Sequence, residues 1–248
     1  MLHNNSKQKK EIKIMRLDNY IFQNGHTSSR NKAKELIVNG KVLVDGELSI
    51  KPSLEVEDVE IVILQDIVFV GRGGDKLHHF LKEVEVEIED KVCLDIGSST
   101  GGFIEVLLLN KAKEVVGVDV GTNQLHQTLL DNPKVKSIEK TDIRKFSSEE
   151  KFSLVTCDLS FVGIEHILED IDRLSSDKII ILFKPQYEVG RDVKRDKKGV
   201  VKDQNAIRFA KIRFESSCFK IGWELLEQRE STIKGKEGNV EIFYYFKK

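Results

Sequence analysis

The chain has 248 residues, 40% hydrophobic and 33% charged, with 40 basic against 41 acidic side chains and a formal net charge of −1. That apolar share excludes a disordered chain, the length suits one medium domain plus a small one, and the charge balance excludes a global polycation. No apolar run is longer than the five residues of IIILF (179–183), far short of the ~20 a membrane-spanning helix needs.

In chain order, residues 1–12 are polar and basic and read as a flexible N-terminus with no apolar stretch behind it. This is not a secretory signal, so a cytoplasmic protein is expected. MRLDNYIFQNG (15–25) places Leu17, Tyr20 and Ile21 at helical spacing. SSRNKAKELIVNG (28–40) is a second helix, with Ser28 or Ser29 as its N-cap and Gly40 as its stop. KVLVDGELSIKPS (41–53) alternates Val42 and Val44 before the turn Asp45-Gly46 and reads as a hairpin; VEIVIL (59–64) adds a strand. Residues 13–64 therefore form a small α+β module, and residues 1–51 hold ten Lys/Arg against five Asp/Glu. Such asymmetry suits an anionic partner, and a solvated helix face reads equally well from charge alone.

A linker (65–71) leads to a different pattern in residues 72–248. Strand and helix signals alternate: VCLDIG, a helix from Gly102 to Asn110, EVVGVDV, a helix around 122–131, VKSIEKTDI, FSLVTCDLSF, a helix around 163–174, KIIILFKP and a long helix around 203–220. WELLEQRES and VEIFYYF follow with no helix between them. This predicts an α/β fold, a doubly wound, Rossmann-like parallel sheet with an antiparallel edge. The basic stretch 187–203 reads as a mobile loop. Cys93, Cys157 and Cys218 are odd in number and far apart, which argues against a disulfide framework or a metal site.

The stretch CLDIGSSTGGF (93–103) is a strand running into a nucleotide loop. It lacks the G-x-G-x-x-G of dinucleotide folds and the lysine of a phosphate-cradling loop. Asp95 stands two residues before the first of Gly97, Gly101 and Gly102, and an acid there suits a ligand with an ammonium group. S-adenosylmethionine carries one, together with a sulfonium, and no phosphate. Asp119, ending the next strand, can accept ribose hydroxyls, and Thr141-Asp142, ending the third, can meet an adenine amine. Ser98, Ser99, Phe103 and Asp158 complete the candidate cofactor set. Any one of these acids alone is also an ordinary turn residue.

RLDNYIFQNGHTSSRNKAKELIVNGKVLVDGELSIKPS, GRGGDKL, LDIGSSTGGF, DLSF, LFKPQYEVG and GNVEIFYYF together resemble the TlyA family, often labelled hemolysin A. The likeness covers about residues 13–246. It implies an "alpha-L" RNA-binding module joined to an FtsJ-like, S-adenosylmethionine-dependent ribose methyltransferase domain acting on ribosomal RNA. The family's Lys–Asp–Lys–Glu catalytic set carries over to Lys76, Asp158, Lys184 and Glu241. A ribose 2′-hydroxyl is a weak acid and a poor nucleophile, so it must be positioned and relieved of its proton; a lysine among other charges can do both. Without the family pattern, Lys184 reads as a strand-end lysine, Glu241 as an edge-strand charge and Lys76 as a helix-start lysine. Family members with a C-terminal extension act on both subunits; this sequence ends two residues after FYYF, so a large-subunit cytidine is expected.

For RNA, the candidates are Arg16, Ser29, Arg30, Lys32, Lys34 and Lys41 in the first module, with Arg72, Arg191 and Arg195 in the second. Three rival readings stand beside this one. A membrane-active hemolysin would need an apolar segment, a non-catalytic RNA-binding protein would not need all four motif positions, and a base methyltransferase of this architecture often carries a proline-containing loop where DLSF stands.

Overall fold

A computed structural model of the chain describes residues 14–27, 29–38, 41–63 and 69–248, and it divides into two units between Ile67 and Val68. In the first unit, β1 (Met15–Arg16) leads into α1 (Leu17–Gln23), and α2 (Arg30–Val38) follows. Ser29 caps α2: its hydroxyl oxygen accepts the Lys32 amide at 3.2 Å, one of the donors a helix start leaves open. Ser28, Gly40 and the basic stretch 1–12 lie outside the described residues.

β2 (Val42–Val44) and β3 (Glu47–Leu48) form the expected hairpin. Asp45 and Gly46 have φ of 49° and 83°, the two positive values that a type I′ turn demands. β4 (Glu55–Val56) pairs with β1, and β5 (Ile61–Ile63) pairs with β2. Leu17, Ile21, Ala33, Ile37, Val42 and Val56 close the small core.

The second unit carries α3 (Arg72–Glu83), β6 (Val92–Ile96), α4 (Gly102–Leu109), β7 (Glu114–Val118), α5 (Gln127–Leu130), β8 (Val135–Ile138) and β9 (Phe152–Cys157). A 3₁₀ turn (Ile164–Ile167), α6 (Leu168–Leu174), β10 (Ser175–Phe183), α7 (Pro185–Glu188), α8 (Gln204–Lys220), β11 (Glu224–Glu230) and β12 (Ile242–Lys247) complete it. Within the expected linker 65–71, residues 65–68 fall outside the described set, and Phe69 is buried in this unit's core.

The sheet order is β11-β12-β10-β9-β6-β7-β8, with β10, β9, β6, β7 and β8 parallel and β12 antiparallel to both its neighbours. The reversed strand thus sits one place inside the edge. Composition explains why: Ile242 to Phe246 are apolar on both faces and wholly buried, whereas β11 is charged and largely exposed, as an edge strand must be. Alternate residues serve opposite cores. Ile179, Ile181 and Phe183 face one, Ile180 and Leu182 the other.

Three expectations change. The third strand stops at Ile138, because Lys140 takes φ 52° and turns the chain, so Thr141 and Asp142 lie beyond it. The helix expected around 122–131 is reduced to Gln127–Leu130 after a winding turn through Asn123, φ 54°. The 187–203 stretch is not a loose loop. Arg195 donates to the carbonyls of Gln186, Gly190 and Val193, Arg195 and Val201 form a bridge, and Asp196 accepts the amides of Lys198 and Val200. Local hydrogen bonds supply the order that a core would otherwise provide.

Candidate active site

β6 and β9 are neighbours, but the chain visits β7 and β8 between them. This makes their carboxyl ends a topological switch point, where open α/β sheets leave a crevice. A cleft of about 620 Å³ opens there. It is lined by Lys76, Asp95, Gly97, Ser98, Ser99, Gly102, Phe103, Asp158, Lys184 and Glu241, so all four candidate catalytic residues converge in it.

Each is placed by local chemistry. Asp158 follows β9 directly, and its amide donates to Ile96 O at 3.0 Å, which locks it onto β6. Lys184 is the last extended residue before Pro185, the first residue of α7; a proline holds its predecessor extended. Lys76 lies in the second turn of α3, whose start packs tightly on α4. A Cβ on Gly102 would stand 2.6 Å from Gly74 N, so only glycine fits. Glu241 precedes β12.

The four form two ion pairs. Lys76 Nζ donates to Glu241 Oε2 at 2.6 Å, both side chains being almost fully buried. Lys184 Nζ lies 2.6 Å from Asp158 Oδ1, off the hydrogen-bonding direction, and its directed hydrogen bond goes to Ser160 Oγ at 2.9 Å. Buried charges are tolerated only when paired in this way.

Asp95 is 1% exposed. Its Oδ1 accepts the Thr156 hydroxyl at 2.7 Å, while Oδ2 is buried without a partner. Burial pushes the carboxyl up to about 7; Asp158 and Asp119 act in the same direction and the Thr156 hydrogen bond against it. An orphaned buried carboxylate oxygen calls for a donor, and a cationic one best relieves both the missing hydrogen bond and the charge. Gly97, at φ 81°, completes the cradle; a Cβ there would meet Leu159 Cδ2 at 2.9 Å and Asp158 O at 3.0 Å. These residues fit a ligand that carries an ammonium group.

Other candidates are placed differently. Asp119 is anchored by the backbone: Oδ2 accepts Ser99 N at 2.8 Å and Oδ1 accepts Gly121 N at 2.7 Å, and each oxygen keeps a further lone pair. Asp142 is closed on Arg144, whose side chain and amide hold its carboxyl down at about 2, and it does not line the cleft. Gly101, at φ 97°, packs against Leu125 and Leu129 rather than the cleft. Arg195 lines the cleft, but its guanidinium is engaged by loop carbonyls.

In the first unit, Arg16 and Arg30 both grip Asp18, a residue absent from the sequence reading. Arg16 binds its two oxygens at 3.2 and 3.0 Å, and Arg30 at 3.3 and 3.1 Å. Burial raises the Asp18 carboxyl, and the two arginines overcome it and leave it lowered. Two half-exposed guanidiniums are thereby held side by side. Lys32 pairs with Glu35 at 3.0 Å, Lys34, Arg72 and Arg191 are exposed, and Lys41 is half-buried with its amide on Leu36 O.

The cleft also holds residues the sequence reading passed over. Phe161 is 86% exposed with φ 70°, costly for an aromatic residue, and tilts against Tyr187 at 5.1 Å. It offers a flat apolar face at the cleft. It ends the DLSF stretch, and neither exposure nor backbone strain is visible in four letters. Asn239, buried, accepts Val201 N at 3.0 Å and so ties the 190s strap to the segment carrying Glu241.

Residues 69–248 match the FtsJ-like methyltransferase family, and residues 15–60 the S4 domain. The chain is 47% identical to the 23S rRNA (cytidine-2′-O)-methyltransferase TlyA of Campylobacter jejuni, over 94% of this chain and 99% of that one. It is 34% identical to the 16S/23S rRNA (cytidine-2′-O)-methyltransferase TlyA of Mycobacterium tuberculosis, over 94% and 89%. A solved structure from Streptococcus thermophilus superposes with a TM-score of 0.70 at 31% identity, covering 95% of this chain and 88% of that one.

Proposed function

The chain belongs to the FtsJ-like methyltransferase family, in the TlyA group, with an S4 domain at residues 15–60, and on that premise we propose how its cleft methylates the ribose 2′-hydroxyl of a ribosomal RNA cytidine. The methyl donor is S-adenosylmethionine, which Asp95, Gly97, Ser98, Ser99 and Phe103 around the β6 turn would hold, with the orphaned Asp95 Oδ2 there to receive an ammonium group. When bound, it supplies an electrophilic methyl group on a sulfonium.

The protein's own residues do the rest. Lys184 is fixed from two sides, by Asp158 and by Ser160, which leaves one direction of its amine for the substrate hydroxyl. Acting as the neutral amine, with its N–H groups toward Asp158 and Ser160, it turns its lone pair on the 2′-hydroxyl, takes that proton and becomes the ammonium. Asp158 balances the charge on Lys184 as that proton moves. Lys76, set by Glu241, adds a second positive charge beside the oxygen as it loses its proton. Positioning supplies much of the rate, since a 2′-hydroxyl already aligned needs little acid–base help. The S4 domain brings the RNA, with the guanidiniums of Arg16 and Arg30 on phosphates.

The observation that carries this reading is the convergence of one buried and one partly buried lysine–carboxylate pair with an unpartnered acid in one switch-point cleft. Large-subunit RNA is the first substrate to test, given the 47% likeness to a 23S enzyme. Labelled methyl transfer to ribosomal particles from a strain lacking the gene should proceed with the unaltered protein. It should fall by a factor of about 10² or more with Lys184→Ala or Asp158→Ala, while RNA binding persists. Activity within threefold of the unaltered protein in both variants overturns the assignment. Among the described residues no helix is long and apolar enough to cross a membrane.

A further inference from the structure

Gln186 lines the cleft two residues beyond Lys184. Its side-chain amide donates from Nε2 to Glu241 Oε1 at 3.2 Å, and the other oxygen of Glu241 is held by Lys76. Chemistry allows no other orientation of the amide, since a flip would set two acceptor oxygens face to face. The backbone is equally constrained, because Arg195 donates to the Gln186 carbonyl at 2.9 Å. Gln186 is therefore held at both ends, and its Oε1 is buried without any hydrogen-bond partner.

A fixed, desolvated acceptor is expensive to leave empty, and a native cleft that keeps one is arranged to receive a donor. Asp95 Oδ2, another orphan at the cleft, is a carboxylate oxygen and suits a cation, whereas an amide oxygen suits a neutral N–H or O–H. We propose that Gln186 is a substrate-recognition residue whose Oε1 accepts a hydrogen bond from the cytosine amine of the nucleotide being methylated. This rests on the methyltransferase reading above and extends it to how the target nucleotide is chosen. An acceptor aimed at an amine rejects uracil, which presents a carbonyl oxygen at that position.

The test uses Gln186→Met, close in volume and without the amide, with the full chain and ribosomal particles carrying the target cytidine or a uridine in its place. With cytidine, kcat/KM should fall about ten- to a hundredfold, the penalty of a polar contact built for one partner, while affinity for S-adenosylmethionine is unchanged. Loss of the cytidine-over-uridine preference assigns the donor to the base. That loss supports the proposal, and a merely structural role would leave the preference in place. A Gln186→Met enzyme that keeps the unaltered kcat/KM, or loses rate while retaining the preference, overturns it. Absence of methyl transfer by the unaltered protein is a separate result, which overturns the parent reading and this one with it.

Discussion

Breaking the Lys76–Glu241 pair should reveal how much of the second unit's stability is committed to the site. The two are 165 residues apart in sequence, 2.6 Å apart in space, and 6% and 3% exposed at the side chain. Removing one member of such a pair strands a buried charge and costs about 3–5 kcal/mol, whereas replacing both with apolar residues of similar volume is close to neutral. Glu241→Leu strands Lys76 and also deprives Gln186 Nε2 of its acceptor, so it should lie at the upper end of that range. Lys76→Met leaves Glu241 with Gln186 and should lie at the lower end. The double variant should recover most of the loss, a coupling of a few kcal/mol, and all three should lose methyl transfer. Urea unfolding followed by tryptophan fluorescence reads this cleanly, because Trp223 is the only tryptophan and is buried in the second unit's core. Its transition therefore reports that unit rather than the average of two. Single-variant losses below about 1 kcal/mol, or additive losses in the double variant, would refute the reasoning.

Affinity for S-adenosylmethionine should rise with pH toward and past about 7, as the Asp95 carboxyl ionises, and Asp95→Asn should weaken binding and flatten that dependence; calorimetry across pH 5.5–7.5 measures both. The same buried carboxyl holds its proton more tightly in the fold than in the unfolded chain. Its contribution to stability therefore declines as pH climbs from its ordinary value of 3.8 to about 7, and Asp95→Asn removes that slope. In the first unit, Asp18→Asn should weaken protection of α1 and α2 amides from hydrogen exchange by about 1–3 kcal/mol and lower RNA affinity, because Arg16 and Arg30 lose their common anchor. Since the Asp18 carboxyl is lowered, its stabilisation is complete above about 3.8 and fades as acid protonates it. Gly101→Ala should destabilise the second unit by more than about 1 kcal/mol in urea unfolding, as φ 97° disfavours any side chain and the new methyl would collide with Leu129.

Sequence by itself determined the classes of structure and the ends of strands. Alternating Val42 and Val44 before Asp45-Gly46 is a hairpin in any context, because turn geometry is a two-residue property. The apolar run ending at Asp95-Ile96-Gly97 is a strand entering a loop for the same local reason. Family motifs also brought Lys76, Asp158, Lys184 and Glu241 into one set before any coordinates placed them in one cleft. What only the tertiary structure decided was how each polar atom is used. Asp119, Asp142 and Arg195 carry the right letters for binding, yet one is held by backbone amides, one by Arg144 and one by loop carbonyls. Conversely, Asp18 and Gln186 drew no notice as letters. They matter because two arginines close on the first and the second is left with an oxygen that nothing satisfies. Strand patterns are set by neighbours along the chain, whereas hydrogen bonding in a cleft is set by groups up to 165 residues away, and no local rule spans that distance.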